Sequence, residues 1–199
     1  MRRNLFLLLA ASGFLALAAC GQATPPDGDI ALPADDRAAT ISETPANSTA
    51  YGKRARARVF GSDGERIGDV VAWQGRDGVL VQLDVRDLPP GSHGVHFHSV
   101  GDCDDLDIFK ASGAHIGAAY GHHGLLHPEG PHRGNLPNIN VGADGSAIVE
   151  FHSNLISVAE LHDADGAALI IHQTRDDHQT QPIGGSDGRI ACAPFRGRS

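Results

Sequence analysis

Residues 54–85, RARARVFGSDGERIGDVVAWQGRDGVLVQLDV, decide the fold of this chain. Three runs of strand-like sequence in it are separated by turns that contain Asp-Gly, and the runs are 54–60, 67–74 and 79–85. In the last run Val81, Leu83 and Val85 share one face, because side chains alternate between the two faces of a strand. Asp-Gly is typical of tight turns between antiparallel strands. The stretch therefore predicts a three-stranded meander.

The second half of the chain repeats this pattern. Residues 147–151 and 168–172 have strand-like sequence, and an Asp-Gly turn precedes each. No convincing amphipathic helix is found. Short strands joined by such turns predict an all-β fold, an antiparallel sandwich or barrel. Two long segments without a strand pattern, about 99–138 and 173–190, exceed ordinary connections, so we expect them to carry function.

The N-terminal part predicts export and anchoring. Residues 1–19 begin with two arginines after Met1, continue as an apolar run and end in small residues before Cys20, as in a bacterial lipoprotein signal peptide with an acylated cysteine. Ordinary cleavage that leaves Cys20 as a free thiol is the alternative. Residues 20–50 contain few large apolar side chains and predict a flexible tether. Residues 51–199 suit one domain.

The charge of the chain excludes one class of partner. The formal net charge is −8, and it becomes more negative when Arg2 and Arg3 leave with the signal peptide. Nucleic acid is therefore not an expected partner. Because an acidic surface is not attracted to anionic lipids, we expect membrane association through the lipid anchor only, at the bacterial cell envelope and facing the periplasm.

Two cysteines remain once Cys20 is assigned to the anchor. Cys103 and Cys192 form an even pair in an exported chain, which predicts one disulfide. It would close a loop of about 90 residues and stabilise the fold by about 4 to 5 kcal/mol. Two free buried thiols are the alternative.

Residues 92–136, SHGVHFHSVGDCDDLDIFKASGAHIGAAYGHHGLLHPEGPHRGNL, hold eight of the 12 histidines in the chain. In the His96-Phe97-His98 segment, both imidazoles project to one side of an extended backbone. Imidazole is the commonest protein ligand of zinc, copper and iron, so the density of histidines predicts a metal site. A solvated His-rich loop is the alternative, but its histidines would not be interleaved with Gly, Pro and Cys.

Five motifs, in this order along the chain, resemble the signature segments of the copper,zinc superoxide dismutase family: HGVHFHSVGDC (93–103), SGAH (112–115), HGLLHPEGPHRGNLPN (123–138), IIHQTRDDHQTQP (170–182) and GGSDGRIAC (184–192). The resemblance covers about residues 50–199. It implies an antiparallel Greek-key β-sandwich or barrel with two long functional loops. It also implies one copper and one zinc per subunit.

The resemblance assigns the histidines to the two metals. The residues that match the family's copper ligands are His96, His98, His115 and His172. His115 matches the imidazolate that bridges copper to zinc, and His123 and His132 match the two further zinc histidines. The family alternates the oxidation state of copper to dismutate superoxide, and His115 would take a proton when its bond to reduced copper breaks.

Other positions match residues that support the metals. Arg189 matches the arginine that attracts and orients the superoxide anion, although without the surrounding motif a surface arginine at a strand start would be the favoured interpretation. Asp176 matches a carboxylate that hydrogen-bonds one copper and one zinc histidine, here His96 and His123. His93 matches a structural histidine. The remaining histidines receive no metal role: His122 and His127 are unassigned, and His152, His162 and His178 are expected on the surface.

Asn135 departs from the family pattern. The family places an aspartate three residues after the last zinc histidine, and this chain has His132-Arg133-Gly134-Asn135. Because a neutral amide replaces a charged ligand, we expect weaker zinc binding, or completion of the zinc shell by Asn135 Oδ1, a water, His122 or His127.

The sequence predicts two candidate functions. It contains no pattern that indicates whether the protein is a monomer or a homodimer. The first is a superoxide dismutase, an oxidoreductase that protects the cell envelope. The second is a lipoprotein of the same fold that binds or buffers copper without efficient turnover, since its zinc site is altered at Asn135. A purely structural β-sandwich is a third reading.

Overall fold

Nine β-strands form the regular structure of residues 52–197, the part of the chain that the computed structural model describes. They are β1 (Arg54–Gly61), β2 (Arg66–Gly75), β3 (Gly78–Val85), β4 (Gly91–His93), β5 (Val95–His98), β6 (Ile139–Val141), β7 (Ala147–Ser153), β8 (Ala167–His172) and β9 (Arg189–Phe195). The predicted signal peptide (1–19), Cys20 and the tether (20–50) lie outside the described residues.

Seven of these strands form one antiparallel sheet in the order β5-β8-β9-β1-β2-β3-β7. The predicted meander β1-β2-β3 lies at its centre, where Ala57 pairs with Val70 and Val70 pairs with Leu83. These paired residues are buried, whereas Arg54, Arg56 and Arg58 are exposed on the other face of β1. The alternation of apolar and polar residues therefore sets the register, because a shift by one residue would expose the apolar face.

The sheet curls so that its two edge strands are linked by a small second sheet. β4 pairs with β6, β4 runs into β5 through Gly94, and β6 runs into β7 through the turn at Gly142 and Ser146. Because β3 pairs with β7, and β8 pairs with β5, the chain crosses between the two edges of the large sheet. The prediction of an antiparallel Greek-key barrel is confirmed.

Strand β5 is buried on both faces, and this decides where the site lies. Val95 and Phe97 point into the apolar core, which Leu169 and Phe195 share. His96 and His98 point to the opposite side, yet they are also buried. Two connections therefore cover the outer face of β5: residues 99–138 between β5 and β6, and 173–188 between β8 and β9.

The structure corrects three details of the prediction. A four-residue helix, α1 (Val158–Leu161), begins at the N-cap Ser157, whose hydroxyl and Glu160 form a capping box. It is too short to show helical periodicity, although the Ser-x-x-Glu pattern marks its start. A single 3₁₀ turn occupies Lys110–Ser112. The second long segment ends at Gly188, because β9 begins at Arg189.

The short strands β4 and β6 were not predicted, because three residues are too few for an alternating pattern. Within residues 52–197, no helix has the length and apolar character needed to cross a bilayer.

Candidate metal centre

Two paired strands and one loop bring four histidines together. His96 and His98 lie on β5, and His172 ends β8, which pairs with β5. His115, from the loop 99–138, forms an isolated bridge with His98. All four are buried, and one ring nitrogen from each lies within 4.8 Å of the others. We call these residues the first cluster.

The converging nitrogens of the first cluster have no hydrogen-bond partner. They are Nδ1 of His96 and Nε2 of His98, His115 and His172. A buried polar atom without a partner costs about 1 to 3 kcal/mol, so four at one point are unlike ordinary packing. A shared metal ion would satisfy all four.

Hydrogen bonds on the far side of each ring orient these nitrogens. Nδ1 of His98 lies 2.9 Å from the carbonyl oxygen of Gly113, and Nδ1 of His172 lies 2.9 Å from that of Asp187. Because a carbonyl oxygen only accepts, Nδ1 carries the proton in both rings and Nε2 presents a lone pair. The first cluster therefore offers four lone pairs, which suits copper.

A second cluster shares His115 with the first and adds His123 and His132. Nε2 of His132 lies 3.0 Å from the carbonyl oxygen of Gly121, which leaves Nδ1 as the lone-pair nitrogen. That Nδ1 is 3.5 Å from Nδ1 of His115. Since Nε2 of His115 belongs to the first cluster, the two ring nitrogens of His115 face different clusters. This is the arrangement of a bridging imidazole.

Asp176 links the two clusters beneath the metal positions. Its Oδ2 lies 2.7 Å from Nε2 of His96 and 2.9 Å from Nε2 of His123, and its Oδ1 lies 3.0 Å from the same nitrogen of His123. Both rings therefore donate from Nε2 and direct Nδ1 toward their cluster. Gly184 permits this packing, because a Cβ there would collide with the Asp176 carboxylate.

Asn135 does not present a ligand atom to the second cluster. The backbone N–H of Gly124 donates to Oδ1 of Asn135 at 3.0 Å, which fixes the orientation of the amide. Nδ2 then lies 3.0 Å from Nδ1 of His123, so it donates to the nitrogen that a zinc ion would use. Three imidazoles of the second cluster thus fit zinc, whereas Asn135 in this orientation does not.

Arg189 lies beside the first cluster at the start of β9. Its Nη1 donates to the Phe109 carbonyl at 2.6 Å and to the Ser112 hydroxyl at 3.0 Å, and its Nη2 donates to the Gly113 carbonyl at 2.9 Å. A cavity of about 900 Å³ is lined by Arg189 together with His98, His115 and His172. The guanidinium is therefore held in place and faces the same cavity as the cluster.

Cys103 and Cys192 form the predicted disulfide, with their Cα atoms 6.0 Å apart. It joins the loop 99–138 to β9, three residues after Arg189. The loop segment that accepts the hydrogen bonds of Arg189 is therefore tied covalently to the strand that carries the arginine.

Burial dominates the electrostatics of the first cluster. Desolvation is the largest cause that lowers the pKa of His98 and of His115, and it lowers the pKa of His172 to about 3. Burial opposes ionisation of Asp176, but hydrogen bonds from His123 and His96 outweigh it and hold the pKa of this carboxyl well below its usual range. The site therefore combines neutral imidazoles with an ionised carboxylate.

Several residues around the site were missed or misjudged from the sequence. His178, expected on the surface, is half-buried: its Nε2 lies 3.0 Å from Nδ2 of Asn138 and its Nδ1 lies 3.6 Å from the Asp176 carboxylate. The amide of Asn138 also bonds the backbone N–H and C=O of Asp176, at 2.8 Å each, which ties the two long loops together. Lys110 lines the cavity beside Arg189. Asn138 stands in a recognised motif, but nothing in the sequence indicates its partner.

The other histidines lie apart from the two clusters. His93 is buried, with Nδ1 2.8 Å from the His172 carbonyl oxygen and Nε2 2.8 Å from that of Pro89. His152 is exposed on β7. His122 and His127 stack on each other at the surface of the loop 99–138.

Sequence comparison identifies relatives of this chain. Residues 67–195 match the family model described as copper/zinc superoxide dismutase (SODC). A Superoxide dismutase [Cu-Zn] of Caulobacter vibrioides is 44% identical over 149 residues, which are 71% of this chain and 85% of the relative. The Superoxide dismutase-like protein YojM of Bacillus subtilis is 32% identical over 206 residues, covering 100% of this chain and 98% of the relative.

Solved structures resemble the fold. A SOD-like protein from Bacillus subtilis superimposes with a TM-score of 0.64 at 31% identity, covering 73% of this chain and 99% of the other. Cu/Zn superoxide dismutase from Brucella abortus gives a TM-score of 0.62 at 25% identity, covering 72% and 100%.

Proposed function

The chain belongs to the copper/zinc superoxide dismutase family, and from this premise we propose that it dismutates superoxide to dioxygen and hydrogen peroxide. The observation that carries the proposal is the first cluster: four buried lone-pair nitrogens converge, and three of their rings line one cavity together with Arg189. The family binds copper and zinc, and both clusters have the donors to hold a metal.

Four residues would hold the copper: His96, His98, His115 and His172. Bound copper would supply one-electron transfer, by which one superoxide is oxidised to dioxygen and a second, with two protons, is reduced to hydrogen peroxide. The protein contributes the rigid positions of the four nitrogens, because β5 and β8 fix three of these rings through their backbone ladder.

Arg189 would attract and orient the anion. Its guanidinium is a fixed positive charge beside the neutral imidazoles, in a cavity that Lys110, Asp107 and Asp187 also line, within a chain of net charge −8 that would otherwise repel superoxide. Three hydrogen bonds hold the guanidinium before substrate arrives, so little reorganisation is needed.

His115 would hold a proton for the product at Nε2. This atom is buried, lies beside the other cluster nitrogens and has no partner in the protein. Burial and, after it, the neighbouring His96 lower the pKa of His115, so the ring of the metal-free protein is neutral and keeps a lone pair that can accept a proton or a metal.

Zinc would be held by His115, His123 and His132, with its fourth position weak or filled by water. Asn135 Oδ1 would complete the shell only if the amide turned over and gave up the hydrogen bond from Gly124. Asn135 was expected to be a doubtful zinc ligand. Because its amide donates to Nδ1 of His123, zinc would have to compete with the amide for this nitrogen.

A copper-binding protein without efficient turnover is the second candidate, and Asn135 is the observation that favours it. A relaxed second cluster would leave His115 less firmly placed, although copper would still bind. The full-length match to a protein named superoxide dismutase-like is compatible with this candidate.

We also propose that the protein is lipid-anchored at the bacterial cell envelope and faces the periplasm. Support comes from the sequence: residues 1–19 have the features of an exported lipoprotein signal, Cys20 follows small residues, and 20–50 have the composition of a tether. Substitution Cys20→Ser should move the protein from the detergent-soluble membrane fraction to the soluble fraction. An unchanged distribution would refute the anchor.

The deciding experiment is metal analysis combined with a superoxide dismutation assay. The mature protein is reconstituted with copper alone or with copper and zinc, and wild type is compared with Arg189→Ala. We expect one copper per chain in both proteins, rapid dismutation in wild type and a rate at least about 10-fold lower in the variant. Stoichiometric copper with no dismutation above that of copper in solution would exclude the enzyme and leave the copper-binding candidate.

A further inference from the structure

A third group of metal-binding side chains lies on the outer surface of the loop 99–138. It consists of His122, His127 and Glu129, and one ligand atom from each lies within 4.8 Å of the others. We call this group the surface triad. None of its residues has a role in the function proposed above, so it is independent of that function.

The surface triad is separate from the second cluster although it adjoins it in sequence. His123 is buried and bonded to Asp176, whereas the side chain of the preceding residue, His122, is 48% exposed. Glu129 is 71% exposed. The two adjacent histidines thus face opposite sides of the loop, and an ion can reach the triad directly from solvent.

Two turns build the triad by folding the loop back on itself. The N–H of His127 donates to the Gly124 carbonyl at 3.2 Å, and the N–H of Gly130 donates to the His127 carbonyl at 3.0 Å. Gly130 is required for this close approach, because a Cβ there would lie 2.7 Å from the Gly124 oxygen. The fold of the loop therefore positions the triad without any metal.

The three side chains lie next to one another. The rings of His122 and His127 stack with centroids 4.7 Å apart and planes inclined by 13°. A Glu129 carboxylate oxygen lies 3.5 Å from Nδ1 of His122. Because the lone pairs of stacked rings lie in parallel planes, one of these surface rings would rotate to share an ion with the other ring and the carboxylate.

Two imidazoles and a carboxylate select a borderline divalent cation. Magnesium and calcium prefer sets made only of oxygen, whereas zinc and copper(II) accept this mixture. Three protein ligands leave the remaining coordination positions to water.

The triad should bind an ion more weakly than a buried site. The backbone N–H of Glu129 donates to Nδ1 of His127 at 3.1 Å. Coordination by Nδ1 would use that lone pair, and coordination by Nε2 would move the ring proton to Nδ1, so either mode gives up the bond. Together with the exposure of the triad, this makes the bound ion exchangeable.

We propose that His122, His127 and Glu129 form a third metal site, which binds one zinc or copper(II) ion reversibly at the protein surface. Zn²⁺ is the probe of choice, because it has no redox chemistry that would disturb the assay.

The test is zinc titration of the mature protein after its buried sites have been filled with copper and zinc and the excess removed. Metal content is measured before and after, and calorimetry follows the binding. Wild type should take up one zinc per chain more than the double variant His122→Ala with His127→Ala, in which only the second cluster can still take up zinc. Glu129→Gln should weaken the additional uptake.

His152→Ala is the matched control, because His152 is an exposed histidine outside the triad. This variant should bind the further zinc as wild type does, and the visible spectrum of the buried copper should stay constant in all titrations. Equal uptake by wild type and the double variant, or no further uptake by wild type, would overturn the proposal. Loss of uptake in His152→Ala, or displacement of copper during the titration, would overturn it as well. Dismutation is not the readout, so failure of the proposed enzyme function would not affect the result.

Discussion

The first and second clusters share His115 but are built differently. Three of the four rings in the first cluster stand on β5 and β8, whose backbone ladder fixes them whether or not a metal is bound. All three histidines of the second cluster come from the loop 99–138. His123 donates a hydrogen bond to Asp176 and accepts one from Asn135, and His132 donates one to the Gly121 carbonyl, so the positions of these two rings depend on loop contacts.

The comparison teaches that one cluster needs a metal more than the other. The first cluster leaves four nitrogens without a partner, whereas the amide of Asn135 already satisfies Nδ1 of His123 in the second. We infer that the first cluster binds copper strongly and that the second cluster binds zinc weakly. Substitutions in each cluster and at the disulfide test this difference between the two clusters.

The largest effect is expected from loss of one ring of the first cluster. His172→Gln removes a nitrogen with no substitute, so copper affinity should fall more than about 100-fold, beyond the effect of changing a residue outside the ligand set. Dismutation should be abolished, while zinc binding changes little because His172 does not belong to the second cluster. Metal analysis of both ions in this variant and in His152→Gln checks the claim, and retention of copper would contradict it.

The next largest effect is expected from loss of the disulfide that joins the loop 99–138 to β9. Cys103→Ser should reduce the free energy of unfolding by about 2 to 5 kcal/mol, because the unfolded chain is no longer cross-linked. Wild type in a strong reductant should match the variant. Denaturant unfolding measures both, and an unaltered melting temperature would mean that the disulfide contributes no stability.

Asn135→Asp should lower the stability of the metal-free protein but raise its affinity for zinc. In the metal-free protein a buried carboxylate would face the lone pair of His123 instead of donating to it, so we expect a loss of about 1 to 3 kcal/mol of stability. With zinc the carboxylate supplies the charged fourth ligand, so zinc affinity should rise. Calorimetry and thermal unfolding report the two signs. An unchanged zinc affinity would indicate that another residue already completes the shell.

The smallest effect, when measured over a single pH unit, is a pH dependence of the metal-free protein. Burial lowers the pKa of His172 from 6.5 to about 3, so below pH 6.5 the unfolded chain binds a proton that the folded chain does not. Stability is therefore fully present above pH 6.5 and is lost as the pH falls toward 3, by up to about 1.4 kcal/mol per pH unit for this histidine. Denaturant unfolding at several pH values between 7 and 5 gives the free energy of unfolding, which should change less with pH in His172→Gln than in wild type. An equal change in both proteins would assign the effect to other groups.

Much of the fold and the candidate site could be predicted from sequence. The strands around Val81 and Leu83 follow from apolar alternation at Asp-Gly turns, and the limits of the loop 99–138 from its lack of a strand pattern. The histidines of the first cluster were predicted from sequence motifs. In His96-Phe97-His98 the alternation along one strand already places both rings on the same side. Helix α1 and the burial of His178 were missed, because four residues show no period and because a loop's path depends on distant partners.

Local patterns and motifs in the sequence were enough to predict the all-β class, the family, the histidines and the cysteine pair. Which atom each side chain presents became known from the folded structure. That Asn135 offers a proton instead of a lone pair depends on the Gly124 N–H, and that His122 faces solvent while His123 faces Asp176 depends on how the loop folds back. Whether a side chain donates or accepts a hydrogen bond depends on the groups that surround it in the fold, so the adjacent residues in the sequence do not determine it alone.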